Sequence, residues 1–460
     1  MNSQIQSEQN KMASSDPAEH MRQRASEGRH QVKIIFVHSR MDKRTFLKNI
    51  SLLGITPAFN QLDKWVAKYE HIQPEIVAAD EDFWEGIRKG YRLKPDYINL
   101  ENGYYCFLPE EILESFISHV REINYQGSYY MRTKRFDDNK AMAEKLAVLA
   151  GCSNEELVIT RNTTESLDLV IGGTHWQPGD EAVMAEQDYG AMLDMFKLVA
   201  KRHGVINKII SIPNHPASDE EIVQLYANAI TPKTKLLMVC HIINITGQIL
   251  PVRKICDMAH SKGVKVLVDG AHAFAHFRYS IPDLHCDYYG TSLHKWMSVP
   301  LGLGFLYVKK ENIADIWPLL GPNPVYKNDD IHRLNHTGTP PVHTYLAITN
   351  AIHYYQKIGA ERKEARLRYL QHYWTDKVRN LKNVIVNTPA AIERSCGIAN
   401  VGISTMKPAD LADTLLKKYK IYTVAIDYAN VHGCRITPNI YTTPKELDQF
   451  VKALTEMAAV

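Results

Sequence analysis

From about residue 140 onward the chain alternates short apolar runs with helix-like stretches, and no other property limits its possible folds as tightly. ELVIT (156–160) leads into TTESLDLVIGG, EAVMAE into AMLDMFKLVAKRHG, INKIISI into SDEEIVQLYANAI, and TKLLMVCHI into PVRKICDMAHSKG; VKVLVDG, YYGTSL and GFLYVKK close the series. The helical stretches carry their own punctuation. Ser218 precedes an acidic first turn, Pro251 marks a start, and Gly151 and Gly204 mark two ends. Strands rich in Val, Ile and Leu separated by helices predict a mostly parallel sheet with helices on both faces. In such sheets ligands sit beyond the carboxyl ends of the strands, so the loops after these runs are where chemistry is expected.

Past residue 340 the pattern changes. PPVHTYLAITNAIHYYQKIGAERKEARLRYLQHYWTDKVRNL reads as one long helix, or two kinked near Gly359, connecting to a small α/β unit that alternates again. The expected organisation is a disordered extension over 1–40, a twin-arginine-like signal or linker over 41–75, a large domain over 76–340 that includes the N-terminal segment, and a small C-terminal domain over 341–460. The extension is polar and lacks apolar periodicity. SRMDKRTFLKNISLLGITPAF (39–59) places Lys43-Arg44 where a twin-arginine signal has two arginines. Its apolar run is short, is broken by Gly54 and Pro57, and shows no clear A-x-A cleavage site. Met41 is an alternative start. A cytoplasmic location is expected, with export to the periplasm as the alternative.

The formal net charge of +3 on 460 residues argues against a nucleic-acid stripe or a membrane-binding patch. No stretch after the N-terminus is long and apolar enough to span a bilayer. The cysteines, 106, 152, 240, 256, 286, 396 and 434, are scattered with no C-x-x-C pair, which argues against a disulfide framework or a structural zinc motif.

Candidate chemistry lies at the strand ends. GTSLHKW (290–296) places Lys295 where the chain is about to be buried, and lysine is seldom buried unless its charge is paired or removed. One way to remove it is a covalent bond between the amine and a carbonyl. VLVDGAHA ends in Asp269, with His272 three residues on. An aspartate there could bind a metal, act as a base, pair with a cationic ring nitrogen, or cap a turn. His272 and His276 are spaced as a metal pair, but no third ligand is identifiable, so no metal is expected. The lysine decides: aspartate after one strand and hydroxyl-x-His-Lys after the next suit pyridoxal 5′-phosphate. Lys295 would form an imine with its aldehyde, and Asp269 would hold the pyridine nitrogen protonated. The phosphate needs donors, which RNTTES supplies where Thr163 and Thr164 open a helix; taken alone, the two threonines would be a helix cap.

With RNTTES, DYGAM, HIINITGQ, VDGAHA, TSLHKW, HTGTPP and CRITPNIY in this order, residues 95 to 455 resemble the class V aminotransferase family of fold type I pyridoxal-phosphate enzymes. The resemblance is nearest to the isopenicillin N epimerase-like branch, with cysteine desulfurases as relatives. It implies the fold: a large domain with a mostly parallel, helix-flanked sheet and a smaller C-terminal α/β domain. It also implies roles. Lys295 would be the Schiff-base lysine and proton shuttle, Asp269 the partner of the pyridinium nitrogen, and His272 the hydrogen-bond partner of the ring's phenolic oxygen. Tyr189 would stack on the ring; Thr163, Thr164, Ser292 and His294 would contact the phosphate. Asn244 would sit near the ring oxygen or the substrate carboxylate. Arg435 would grip that carboxylate with a bidentate fork. Thr339 would reach the phosphate of a neighbouring subunit, implying a homodimer with shared active sites. NGYY (102–105) and GSYYMRT (127–133) would be substrate-side loops, with Tyr129, Tyr130 or Arg132 lining the pocket.

The implied activity is epimerisation at Cα of a small-molecule amino-acid substrate through a quinonoid intermediate. Aminotransferase or C–S/C–N lyase chemistry is the alternative. Cysteine desulfurases need a mobile cysteine a few residues past the carboxylate-binding arginine; RITPNIYTT has none, and Cys434, directly before Arg435, should point away from the pocket. The rival from another class is a non-catalytic cofactor-binding protein, against which the intact Lys295, Asp269 and Arg435 argue.

Overall fold

The protein is described by a computed structural model covering residues 58–459; the 1–40 extension and the twin-arginine-like stretch through residue 57 lie outside the described residues. Its centre is a seven-stranded sheet. In chain order the strands are β1 (Leu157–Thr160), β2 (Glu181–Ala185), β3 (Ile206–Ile210), β4 (Thr234–Cys240), β5 (Lys265–Asp269), β6 (Tyr288–Ser292) and β7 (Gly304–Val308). They lie side by side as β1-β7-β6-β5-β4-β2-β3. Only β7 runs against the others; its two neighbours pair with it antiparallel, and every other pair is parallel.

All seven strands coincide with the apolar runs of the sequence, and all but the part-exposed edge strand β3 are buried on both faces. Alternate residues feed different cores: Val183, Ala185, Val266 and Val268 join one apolar cluster, whereas Ala182, Met184 and Leu267 join the other. A strand that must be apolar on both sides reads as a continuous hydrophobic run. The connecting helices end where the sequence punctuation places them. Gly151 and Gly204 adopt left-handed φ values of 76° and 71° at two C-termini, and the Ser218 side chain accepts from the Glu221 amide.

The long connection past residue 340 is two helices, α3 (Val342–Ile358) and α4 (Ala360–Val378), broken at Gly359 with φ 90°. Beyond it, β8 (Val384–Val386), β9 (Ala399–Ile403), β10 (Val424–Tyr428) and β11 (Val431–Ile436) form an antiparallel sheet in the order β10-β11-β9-β8. Val401, Cys434, Leu415, Phe450 and Trp374 pack in its own apolar cluster. One short stretch before the large sheet also belongs to this region, whereas Val77, Phe83, Trp84, Ile112 and Leu146 join an apolar cluster of the large sheet. Ile98–Asn99 pairs in parallel with Ile421–Tyr422, and Glu101 bridges Thr437.

No helix among the described residues is long and apolar enough to cross a membrane.

Candidate active site

Strand direction gathers the candidate residues. β1, β2, β4, β5 and β6 all point their carboxyl ends at one edge of the sheet, so Thr163, Tyr189, Asn244, Asp269 and Lys295 emerge together although they are spread over more than a hundred residues. Arg435 reaches the same place from β11. These six, with Thr164, His272, Ser292 and His294, line one cavity of about 360 Å³. Two expected residues do not line it in the single chain. Thr339 lies in a connection before α3, and Tyr130 sits on a short helix (Ser128–Thr133) rather than a loop, its hydroxyl donating to Asp138 at 2.7 Å. Tyr129 and Arg132, on the same helix, are likewise outside the lining, whereas Gly103 and Tyr104 of NGYY are part of it.

Lys295 is the centre of the arrangement. Its amine lies 3.0 Å from His272 Nε2. Burial lowers its pKa to about 8, although Asp269 and Glu101 pull the other way. A lysine tuned this way carries a usable neutral fraction near physiological pH. Asp269, the last residue of β5, is buried; its Oδ1 accepts from the Ala271 amide at 2.9 Å. Burial raises its pKa, while that amide and Lys295 oppose the rise. Burial also drives His272 well below the ordinary imidazole range, with Lys295 and Arg435 adding to the effect, so it is neutral.

At the other end, the helix α1 (Thr163–Gly173) begins directly after β1. Its cap is Asn162, whose side chain accepts from the Glu165 amide at 2.9 Å. The two threonines are therefore not the cap, and their hydroxyls are available for other work. Ser292 Oγ, from the end of β6, accepts from the Thr163 amide at 2.9 Å and lies 2.7 Å from Thr163 Oγ1. Hydroxyls and a helix N-terminus converging at one end of a cavity make an anion site.

The residues present fit pyridoxal phosphate. An acidic partner for a ring nitrogen, an amine of lowered pKa and an anion site share one cavity. Asn244 Oδ1 and His294 Nδ1 in its wall are buried without a hydrogen-bond partner among the described residues, and buried polar atoms left so await a ligand or water. His294 is held neutral, its pKa lowered by burial and by Lys295 to about 4. Tyr189 stands at the N-cap of the helix Gly190–His203, part-exposed on the cavity wall. His276 is no metal ligand: Nδ1 bonds the His272 carbonyl and Nε2 the Gly397 amide.

Sequence reasoning missed two residues. Glu101 holds Arg435 through Nη2 at 2.6 Å and Nε at 3.1 Å. Arg435 Nη1 donates to the Asn244 carbonyl at 3.3 Å. The guanidinium lies against Gly103, where a Cβ would come within 2.9 Å of Cζ. The only available signal was a charged residue in the mixed stretch YINLEN. The second is Cys240, which closes β4 and lines the cavity 3.9 Å from Asp269 Oδ2. Burial and the neighbouring Asp188 and Asp269 push its thiol well above the ordinary range. Cys434 turns away, toward the Pro408 carbonyl.

Residues 108–450 match the family described as aminotransferase class-V. The chain is 26% identical over 387 residues to the isopenicillin N epimerase of Streptomyces clavuligerus, covering 81% of this chain and 97% of that protein. It is 25% identical over 382 residues to a cysteine desulfurase of Haloferax volcanii, covering 78% and 88%. Among solved structures it superimposes with a TM-score of 0.72 and 19% identity on a C-DES mutant with glycine covalently linked to its pyridoxal-phosphate cofactor, covering 80% of this chain and 99% of that one. The last likeness concerns the fold.

Proposed function

The chain belongs to the class-V aminotransferase family, and from that premise we propose that it removes the Cα proton of an amino-acid substrate and returns it with inverted configuration, as an epimerase. It is an enzyme that depends on pyridoxal 5′-phosphate. Bound in the cavity, that cofactor supplies an electron sink for the negative charge left at Cα. The observation that carries the reading is the cavity itself, whose lining brings Lys295, His272, Asp269 and Arg435 together.

The residues divide the work. Arg435 binds the substrate carboxylate and so fixes where Cα lies. Lys295 Nζ, lowered to about 8, takes the Cα proton and holds it. Asp269 keeps the ring nitrogen protonated, a role that suits a carboxylate buried among few other charges. His272 donates to the ring oxygen, Thr163, Thr164, Ser292 and His294 hold the phosphate, and Tyr189 covers the ring and limits water. Inversion needs an acid on the opposite face or a lysine that reaches both; among the lining residues Tyr104 and Tyr189 carry hydroxyls suited to the first route.

Similarity to isopenicillin N epimerase over 97% of that protein supports the epimerase reading. Similarity to a cysteine desulfurase favours a second reading, elimination at a C–S bond. Persulfide transfer through a protein thiol is disfavoured: Cys240, the only cysteine lining the cavity, is deeply buried with its thiol pKa raised. We also propose a homodimer, with Thr339 serving the phosphate site of the neighbouring subunit. Exposed Leu301 in the cavity lining, between β6 and β7, and exposed Trp317, Leu319 and Leu320 in the connection from β7 to α3 support it. Sedimentation of the holoenzyme as a monomer would rule it out.

Incubating the holoenzyme in deuterated water with a panel of L- and D-amino acids tests the activity. Deuterium at Cα with loss of optical purity is the expected result. A keto acid without racemisation would replace the reading with aminotransferase chemistry, and released thiol or ammonia would replace it with a lyase.

A further inference from the structure

His276 and Trp296 are fully buried, do not line the cavity, and have no part in the reaction as described. Their geometry nevertheless settles a question at its floor. The two rings stack at 3.7 Å with an interplanar angle of 13°. His276 Nδ1 lies 2.7 Å from the His272 carbonyl, and its Nε2 lies 2.7 Å from the Gly397 amide. A carbonyl can only accept and an amide can only donate, so His276 is neutral with its proton on Nδ1. The ring is clamped from both ends. A Cβ at residue 397 would stand 2.9 Å from that Nε2 and 3.2 Å from the indole, which is why glycine occupies the position.

Trp296 is held in turn. The Lys363 amine donates to its carbonyl, and its indole Nε1–H donates to His272 Nδ1 at 3.4 Å. Indole nitrogen is a donor only, so Nδ1 of His272 must be the accepting nitrogen. A neutral imidazole has one N–H, and that proton must then sit on Nε2, the nitrogen 3.0 Å from Lys295 Nζ, which accepts it when the amine is neutral. The segments carrying the device are strained: Ala275, just before His276, has φ 59°, and Ser298, two residues past Trp296, has φ 54°. Left-handed backbone at non-glycine residues persists where surrounding structure over-determines it.

We infer that Trp296, braced by His276, is a positioning residue that locks His272 in its Nε2–H tautomer and so fixes a hydrogen-bond donor at the cavity floor beside Lys295. The catalytic consequence rests on the proposed reading of the cavity; the tautomer does not. A donor fixed at Nε2 serves a ring oxygen that is to carry negative charge, whereas the other tautomer would turn a lone pair toward it. The i, i+4 spacing of His272 and His276, which resembles a metal pair, thereby acquires a different purpose. One histidine does the chemistry and the other holds the tryptophan that orients it.

The test begins with apoenzyme carrying ¹⁵N-labelled histidine, held above pH 8 so that the Lys295 amine is neutral and can accept. His272 is assigned as the signal lost in His272→Gln. Wild type should show a protonated Nε2 and an unprotonated Nδ1; a proton on Nδ1 overturns the proposal outright and needs no variant to fold. Trp296→Phe keeps an aromatic ring against His276 but removes the donor. It should give tautomer-averaged shifts for His272, and after cofactor loading a kcat reduced about tenfold, the scale seen when an orienting partner is lost. Unchanged His272 shifts in Trp296→Phe would also overturn the proposal. In a His272→Gln background, where the amide offers a donor without tautomers, Trp296→Phe should change kcat little further; a full additional tenfold loss would mean that the tryptophan acts by another route. An incorrect assignment of the reaction would leave the nitrogen shifts as expected and alter only the turnover results.

Discussion

Glu101 accepts hydrogen bonds from both Nη2 and Nε of Arg435, at 2.6 and 3.1 Å, with both side chains almost wholly buried. The pair exists because Ile98–Asn99 pairs with Ile421–Tyr422 in a separate two-stranded sheet, and Glu101 bridges Thr437 just past β11. It commits one edge of the guanidinium, and with Nη1 also donating to the Asn244 carbonyl one N–H on each of Nη1 and Nη2 remains for a ligand. It also offsets the arginine's charge at Lys295, where Arg435 lowers and Glu101 raises the amine's pKa.

Removing one member of a buried pair leaves the other charge uncompensated, at a cost of about 3–5 kcal/mol. Glu101→Ala should therefore lower the denaturation midpoint of the apoenzyme markedly, while Glu101→Gln, which keeps the shape and an acceptor, should lower it less. Chemical denaturation of the two variants measures the difference, and equal midpoints would refute the role given to the ion pair.

Arg435→Lys should raise KM by roughly 10–100-fold with a smaller change in kcat, because a point charge replaces a planar fork and one or two charge-assisted hydrogen bonds are lost. Steady-state kinetics separates the two parameters. A change confined to kcat would indicate that the arginine does not hold the carboxylate in the ground state.

Capture of the cofactor's aldehyde requires a neutral amine. With the Lys295 pKa lowered by burial to about 8, the neutral form grows as pH rises through that value. The rate of reconstitution of the apoenzyme should climb with pH and level off above a midpoint near 8, well below the ordinary lysine range. Stopped-flow absorbance across the pH range checks it; a rate still rising steeply toward pH ~10.4, the unperturbed value, would contradict the lowered pKa.

Lys295→Ala should abolish the cofactor's visible band, borohydride-trapped labelling at that position and turnover together. Asp269→Asn should keep the fold and bind the cofactor weakly, with turnover reduced on the order of 10²-fold or more, the scale of losing one preorganised electrostatic group. Near-normal turnover of either variant would remove that residue from the mechanism.

Cys240→Ser should remain active, since the thiol is buried against Asp269 and its pKa is raised well above the ordinary range. Complete loss of activity with the fold intact, judged by circular dichroism, would bring thiol chemistry back into consideration.

Much of the site was legible in the chain because a parallel sheet converts sequence order into position. Once ELVIT, EAVMAE, TKLLMVCHI, VKVLVDG and YYGTSL are strands, the residues just after them must meet at one edge, and Thr163, Tyr189, Asn244, Asp269 and Lys295 do. Tyr130 was less tractable. The tyrosine-rich segment 127–133 resembles a ligand loop, yet the run from Ser128 to Thr133 is helical and the Tyr130 hydroxyl is taken by Asp138, a contact that depends on how two neighbouring helices meet. The helix cap shows the same limit at shorter range: RNTTES offers three capping residues in a row, and the backbone turn after β1 selects Asn162.

The sequence by itself determined the doubly covered sheet, the order of its loops and the lysine and aspartate at their ends, and offered Gly359 as one of two readings of the long helical stretch, because each follows from local periodicity or from a residue's own backbone preference. Only the tertiary structure decided that Glu101 would hold Arg435 from 334 residues away, and that Trp296 and His276 would orient His272. Those contacts depend on how separate elements pack, and a side chain's packing partner leaves no periodic trace in the chain that carries it.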